Sequence, residues 1–293
     1  MKSKKRGTLL QNIVFAFLII WVVVFVFLML WAIMTSLKGS SDFLNNSKLA
    51  LPEKWVFDNY TFVIANYYVT ILTESGLERV WLENMIFNSI AYALLVPLAG
   101  LVMSCWVAYL TAKFNYKFSM IVYTVVVTLL ILPIVGTQVS TIVLLKRMGL
   151  FDTIFGVALL NFHFVNMNYM IVHAIFSSQP KDIEEAAILD GAGYFRIFWH
   201  VAFPSVQGIV FTWYIMGFIG HWNDAANPLI YLPTNPTLAY GVYTLEETSL
   251  QGFNYVPVRL ATNLLLGIPI IVVFTIFSKP LLSRMNFSLG ELK

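Results

Sequence analysis

The sequence predicts an all-α integral membrane protein with six transmembrane helices and both termini in the cytoplasm. Three observations predict it. Of the 293 residues, 59% are hydrophobic and only 11% charged, against about 25% charged in soluble domains. The mean hydropathy is +0.77, and the apolar residues gather into runs of about 20, the length that crosses a hydrocarbon core of about 30 Å as a helix. Lys and Arg are distributed unevenly between the two sides that these runs define.

The first span is read over 9–35. Lys2, Lys4, Lys5 and Arg6 precede it, as in the n-region of a signal peptide. The apolar run is longer than a signal core of about 7–15 residues and lacks a small-residue cleavage pattern, so a retained helix is expected. Residues 38–84 are mixed polar and aromatic, with Pro52, Trp55, Tyr60, Tyr67 and Tyr68, and read as an extracytoplasmic loop. The second to sixth spans are expected at 85–112, 118–144, 153–177, 203–224 and 260–282. In lipid the backbone must satisfy its own hydrogen bonds, so each is expected to be helical, and Pro97, Pro133 and Pro269 are tolerated where neighbouring helices cover the freed carbonyls. The chain thus divides into an N-terminus and first helix (1–37), an outer loop (38–84) and a five-helix core (85–293).

With the N-terminus inside, eleven of the 18 Lys and Arg lie in the cytoplasm and seven outside, although the outer loops are longer. This asymmetry sets the orientation. The net charge of +3 is too small to suggest a nucleic-acid partner. The single Cys105 lies in an apolar run, which leaves no disulfide framework and no Cys-rich metal site.

One charged island interrupts the apolar runs, EEAAILDGAGYFRIFWHVAFP at 184–204, within a cytoplasmic loop of about 180–204. Pro180 ends or bends the fourth span. Residues 181–190 read as a short helix with Asp182, Glu184 and Glu185 in its first turn, where the helix dipole favours acids. Asp190-Gly191 marks a turn, because Gly accepts positive φ. Residues 194–201 read as a second short helix, with Phe195, Phe198 and Trp199 turned back to the bundle, and Pro204 is placed to restart a helix at its first turn. An ordinary interfacial helix would also fit this physics.

The spacing decides between these readings. Glu185-Ala186-Ala187, three residues, Gly191, nine residues, then Val201-Ala202-Phe203-Pro204 resembles the EAA loop of ABC-importer permeases. The resemblance covers roughly 85–293. The run from Ile183 to Ala192, and Trp222-Asn223-Asp224 followed by Pro228-Leu229, resemble the carbohydrate subgroup of maltose-type permeases. The resemblance implies the type I importer permease fold and a place in the bacterial cytoplasmic membrane. It also implies a second homologous permease, two ABC ATPase subunits, an extracytoplasmic solute-binding protein and a sugar substrate moved by alternating access. Glu184, Glu185, Ala186, Ala187, Asp190 and Gly191 are then the expected ATPase contact, with Gly290 and Lys293 adding to it. ATP and Mg are expected on the ATPase. The chain itself contains no G-x-x-x-x-G-K-[ST] and not one Gly-Lys pair, so neither a cofactor nor enzymatic chemistry of its own is expected.

Polar residues inside spans pose a choice. His163, Asn166 and His173 are spaced to share one helix face. With Gln138 and Asn223 they are candidates for a sugar path. The alternative, hydrogen bonding between helices, is favoured. His163 and His173 stand too far apart for a helical metal pair and have no carboxylate nearby, so no metal site is expected. Tyr231, Tyr240, Tyr243 and Tyr255 lie in the outer segment 225–259 and are candidate contacts for the binding protein, or members of an interfacial aromatic belt. An importer of another solute, such as a peptide or polyol, is the alternative function. A membrane-embedded enzyme and an ion-coupled carrier are weaker rivals, the latter because the expected spans hold no acid except Asp224 at an outer end.

Overall fold

A computed structural model of the chain describes residues 2–114, 116–132, 136–247 and 251–290. The fold divides into two compact units, one of Met1–Tyr67 with Thr244–Ile268, the other of Tyr68–Tyr243 with Pro269–Lys293.

The first unit opens with α1 (Lys2–Ser36), whose stretch Gln11–Ser36 has a mean hydropathy of 3.3 and no buried residue in its most apolar window. A helix that is apolar all round and unpacked within its own chain is built to face lipid or another subunit. Its C-terminal carbonyls are not left bare. Asn59, on α3 (Asp58–Asn66), donates from Nδ2 to the carbonyls of Ser36 and Lys38 at 2.7 and 2.8 Å. Lys38 is fully buried and its ammonium donates to the Ser47 carbonyl at 3.2 Å, just beyond α2 (Ser40–Asn45). Phe253 closes this unit, its ring 5.3 Å from Phe62 and 5.6 Å from Tyr67.

The second unit begins with an element absent from the all-α expectation, an antiparallel hairpin of β1 (Tyr68–Thr73) and β2 (Gly76–Trp81), with Thr73 opposite Gly76. Val69 and Ile71 alternate inward while Thr70 and Leu72 face out, and Gly76 takes a φ of 123° at the turn. This period of two sits in a short run among aromatics, which is why hydropathy overlooked it.

Around α4 (Leu82–Lys113) pack the helices of 117–131, 154–161, 167–178 and 203–222. Small residues let neighbours approach it closely. A Cβ on Gly100 would stand 3.0 Å from the Asn161 carbonyl oxygen, and one on Gly217 would stand 2.7 Å from Pro97 Cβ. One core cluster holds Cys105, Ala108, Tyr109, Val126, Tyr169, Val172, Phe176 and Phe198, and a second holds Tyr92, Val96, Leu145, Val157, Tyr231 and Leu232.

Four described helices are long and apolar enough to span: α1, α4, the run Tyr194–Trp222 and the start of α14 (Val256–Gly290). The third and fourth expected spans are not single helices. Residues 118–144 contain α5 (Lys117–Ile131) and α6 (Gln138–Arg147), with Gly136 between them at a φ of 79°; Pro133 lies outside the described residues. Residues 153–177 contain α7 (Ile154–Asn161) and α8 (Met167–Ser178). The break falls where Asn166 leaves the helix to cap α8, its Oδ1 accepting from the Tyr169 N–H at 3.0 Å.

The loop helix α9 (Lys181–Leu189) follows Pro180. Beyond it, α10 (Tyr194–Ile197), a π turn (Phe198–Ala202) and α11 (Phe203–Trp222) form one uninterrupted run. Pro204 does stand in the first turn of α11, as expected, but the helix continues from the preceding turn instead of starting afresh. Proline offers no N–H to the carbonyl four residues back, and the preceding turn widens instead, with the Phe203 N–H bonded to the Phe198 carbonyl. Two further short helices, α12 (Ala226–Tyr231) and α13 (Leu238–Glu247), follow α11.

Candidate functional site

The charged island forms an exposed helix, a glycine turn and a second helix that returns to the bundle. α9 ends in a Schellman motif. The Ala192 N–H bonds to the Ala187 carbonyl at 3.0 Å and the Gly191 N–H to the Ile188 carbonyl at 2.9 Å, which is the pairing that closes a helix when the residue after its cap is left-handed. Gly191 supplies that conformation with a φ of 80°. The expected turn and its glycine therefore coincide with the observed ones.

No described residue of α9 is fully buried. Glu185, Ala186, Asp190 and Gly191 are exposed, Ala187 is half-buried, and Leu189 at the tip is 88% exposed, beside exposed Ile183 and Ile188. Apolar side chains held in the open on a short polar helix suit a protein partner. Glu184 differs from its neighbours. It turns inward and pairs with Lys113, the last residue of α4, at 2.9 Å, the two side chains being 15% and 5% exposed. Neither Lys113 Nζ nor Glu184 Oε1 has a hydrogen-bond partner elsewhere among the described residues.

The return helix is anchored by aromatic rings. Phe198 is buried and stacks on Trp106 of α4 at 4.3 Å. Phe195 and Trp199 differ from the expectation that all three rings turn inward. Phe195 lies 5.6 Å from Trp106, yet it and Trp199 remain exposed. Tyr194 meets Phe114 edge-on at 5.1 Å. A Gln179–Ser205 hydrogen bond joins the end of α8 to the start of α11. Of the C-terminal candidates, Gly290 is the last residue of α14, and Lys293 lies outside the described residues.

The polar candidates do not gather on one helix face. His163 is exposed in the break between α7 and α8, Asn166 caps α8, and His173 sits on α8 against Tyr123 at 4.7 Å. Asn166 is also tied to α4, its Nδ2 donating to Ser104 Oγ at 2.8 Å. Gln138 is exposed at the start of α6, and Asn223 is exposed with its amide donating to the Ile219 carbonyl at 2.8 Å. Among the described residues no group of three or more His, Cys, Asp or Glu could hold a metal ion.

The outer tyrosines separate into two kinds. Tyr231 and Tyr240 are buried at 9% exposure, whereas Tyr243 and Tyr255 stand exposed. Burial, with Asp152 nearby, raises the Tyr240 phenol above its ordinary range. Asp152 is a residue that sequence reasoning passed over. It holds a φ of 63°, and its carboxylate accepts from the Thr234 N–H at 3.1 Å and from the Thr234 hydroxyl. Its carbonyl accepts from Asn235 Nδ2 at 2.9 Å. Asp224 binds the Tyr92 hydroxyl at 2.9 Å and Asn227 Nδ2 at 2.7 Å. Lys113 was legible only as one more cytoplasmic charge; its place between two apolar runs, one island away from an acidic helix, is the signal that could have singled it out.

Comparisons with known proteins bear on this geometry. The diacetylchitobiose uptake system permease protein NgcG of Streptomyces coelicolor is 28% identical over 268 residues, 90% of this chain and 83% of that protein. The arabinooligosaccharides transport system permease protein AraQ of Halalkalibacterium halodurans is 27% identical over 249 residues, 84% of each. The crystal structure of a bacterial ABC transporter involved in the import of the acidic polysaccharide alginate shares the fold with a TM-score of 0.73 at 18% identity, covering 92% of this chain and 95% of that one. The family model for the binding-protein-dependent transport system inner membrane component matches residues 100–287, a stretch that holds the island, its ion pair and the core cluster around Cys105 and Phe198. The chain belongs to that family, and is a permease subunit of an ABC importer, a multi-pass membrane transporter component with no cofactor of its own and not an enzyme.

Proposed function

We propose that this permease forms half of the translocation path for a sugar or oligosaccharide, driven by ATP hydrolysed on a separate subunit. It crosses the bacterial cytoplasmic membrane six times, the third and fourth crossings being made by the broken pairs α5–α6 and α7–α8, with both termini in the cytoplasm. It pairs with a second homologous permease, two ABC ATPase subunits that bind ATP and Mg, and an extracytoplasmic solute-binding protein. The observation that carries this reading is the exposed helix α9, closed at Gly191 and presenting Glu185, Ala186 and Leu189 to a partner. The substrate class is supported by what the relatives' names state of those proteins, NgcG for diacetylchitobiose and AraQ for arabinooligosaccharides.

Affinity purification of the tagged chain from its native membrane tests the assembly. An ATPase and a second permease are expected to co-purify, and cells lacking that ATPase are expected to lose uptake of the sugar carried by the co-purifying binding protein. A lone chain that still supports uptake after ATP depletion would falsify the reading.

A further inference from the structure

The ion pair between Lys113 and Glu184 has a geometry that a simple docking surface does not need. α9 buries no described residue of its own, so apolar packing cannot fix its angle to the bundle. Besides the covalent entry from α8 through Gln179 and Pro180, two attachments remain. One is the covalent return through the Gly191 turn into α10, whose rings lie on α4 at Trp106 and, through Tyr194, on Phe114. The other is Glu184, in the first turn of α9, meeting Lys113, in the last turn of α4, at 2.9 Å. Each charge also lies at the helix end whose dipole favours it. With side chains 5% and 15% exposed and no other hydrogen-bond partner for either contacting atom among the described residues, the attraction is little screened, and removing one partner strands the other.

We infer that Lys113 and Glu184 are the positioning pair that makes α9 and the cytoplasmic end of α4 move as one body, so that a displacement of the docking helix by the ATPase reaches the helix around which α5, α7, α8 and α11 pack. This rests on α9 being the ATPase contact. Glu184 then acts inside the permease, while Glu185, beside it and exposed, acts toward the partner. Aromatic stacking holds the return helix on α4, and the ion pair holds the outgoing one. Without the pair, α9 is held only by the chain at its two ends, at Pro180 and at the Gly191 turn, and can pivot between them while the ATPase stays bound.

The test uses the assembled complex in lipid nanodiscs, with Cys105→Ala and spin labels at Leu110→Cys on α4 and Asp182→Cys in the first turn of α9, both exposed positions. The probe is magnesium with a non-hydrolysable ATP analogue. With Lys113 and Glu184 intact, the distance between the labels is expected to be narrow and unchanged by nucleotide. In Lys113→Met it is expected to broaden and to shift on nucleotide binding, with the ATPase still retained. The reversed pair, Lys113→Glu with Glu184→Lys, is expected to restore the narrow distribution, which a loss of folding would not. ATP-driven uptake of the sugar found on the co-purified binding protein is expected to fall on the order of tenfold in Lys113→Met and to recover in the reversed pair. A Lys113→Met distribution as narrow and unmoved as that of the intact pair, with the ATPase retained, overturns the inference alone. An intact complex that retains no ATPase overturns the docking reading and this inference together.

Discussion

Gly191 is the residue on which the docking turn depends, and its neighbourhood makes the dependence purely conformational. A Cβ there would meet nothing within 4 Å, yet φ is 80°. Gly191→Val is therefore expected to cost about 1–2 kcal/mol at the turn through left-handed strain while the chain still accumulates in the membrane. The loss should be seen as weaker retention of the ATPase on purification, and equal retention would remove Gly191 from the coupling role. Asn166 illustrates the opposite case, a polar residue whose partners are all inside the chain. It caps α8 and reaches Ser104, so Asn166→Ala is expected to lower stability by about 1–2 kcal/mol. Thermal unfolding of the detergent-purified chain checks this. A change in which sugars are taken up, at unchanged stability, would instead return Asn166 to the substrate path. The type of both residues was legible in the sequence. Only the Gly could be assigned its role there, since a left-handed turn is a local property, whereas Asn166 required the knowledge that Ser104 stands beside it.

At the level of elements, the π turn at Phe198–Ala202 sets which rings of the return helix meet α4. In Pro204→Ala the restored N–H can close an ordinary α turn, which rotates the preceding segment by about 100° for the one residue of register lost. Phe198 should then leave Trp106, and the altered tryptophan emission together with reduced uptake is the expected result; an unchanged spectrum would show that the turn is held by other contacts. The crossing of α11 over α4 is equally exacting. Gly217→Leu forces a side chain onto Pro97, whose Cβ would lie 2.7 Å from the new Cβ, and overpacking of this kind costs about 1–3 kcal/mol. The long apolar helices were legible because hydropathy is summed over many residues. The break at Asn166 was not, since a helix that breaks among apolar neighbours does so only where another helix makes room for it and bonds its polar groups, as α4 does by the small Gly100 beside the Asn161 carbonyl and by the Ser104 hydroxyl donating to Asn166 Oδ1.

For the whole molecule, the expected topology is open to direct measurement. Leu189, on the docking helix, and Leu72, on the hairpin, are 88% and 75% exposed. With Cys105→Ala as background, Leu189→Cys is expected to react with a membrane-impermeant maleimide only from the cytoplasmic side, and Leu72→Cys only from the outer side. Labelling of both from one side would overturn the charge-based orientation. Of the outer candidates, Tyr243 and Tyr255 remain available to a binding protein, while Tyr231 belongs to a buried core cluster and Tyr240 is buried near Asp152.

The sequence by itself determined the membrane class, the apolar helices and the helix with its glycine turn at 184–204, because each is written in contiguous residues: hydropathy over a span, or the fixed spacing from Glu185 to Pro204. Only the tertiary structure decided that Glu184 faces Lys113 while Glu185 faces outward, that the expected fourth span breaks at Asn166, and that Asp152 holds Thr234 and Asn235. These depend on partners 71, 62 and 82 residues away along the chain, and a charge or an amide acquires its role only from the group that stands opposite it in a medium where it cannot be left unpaired.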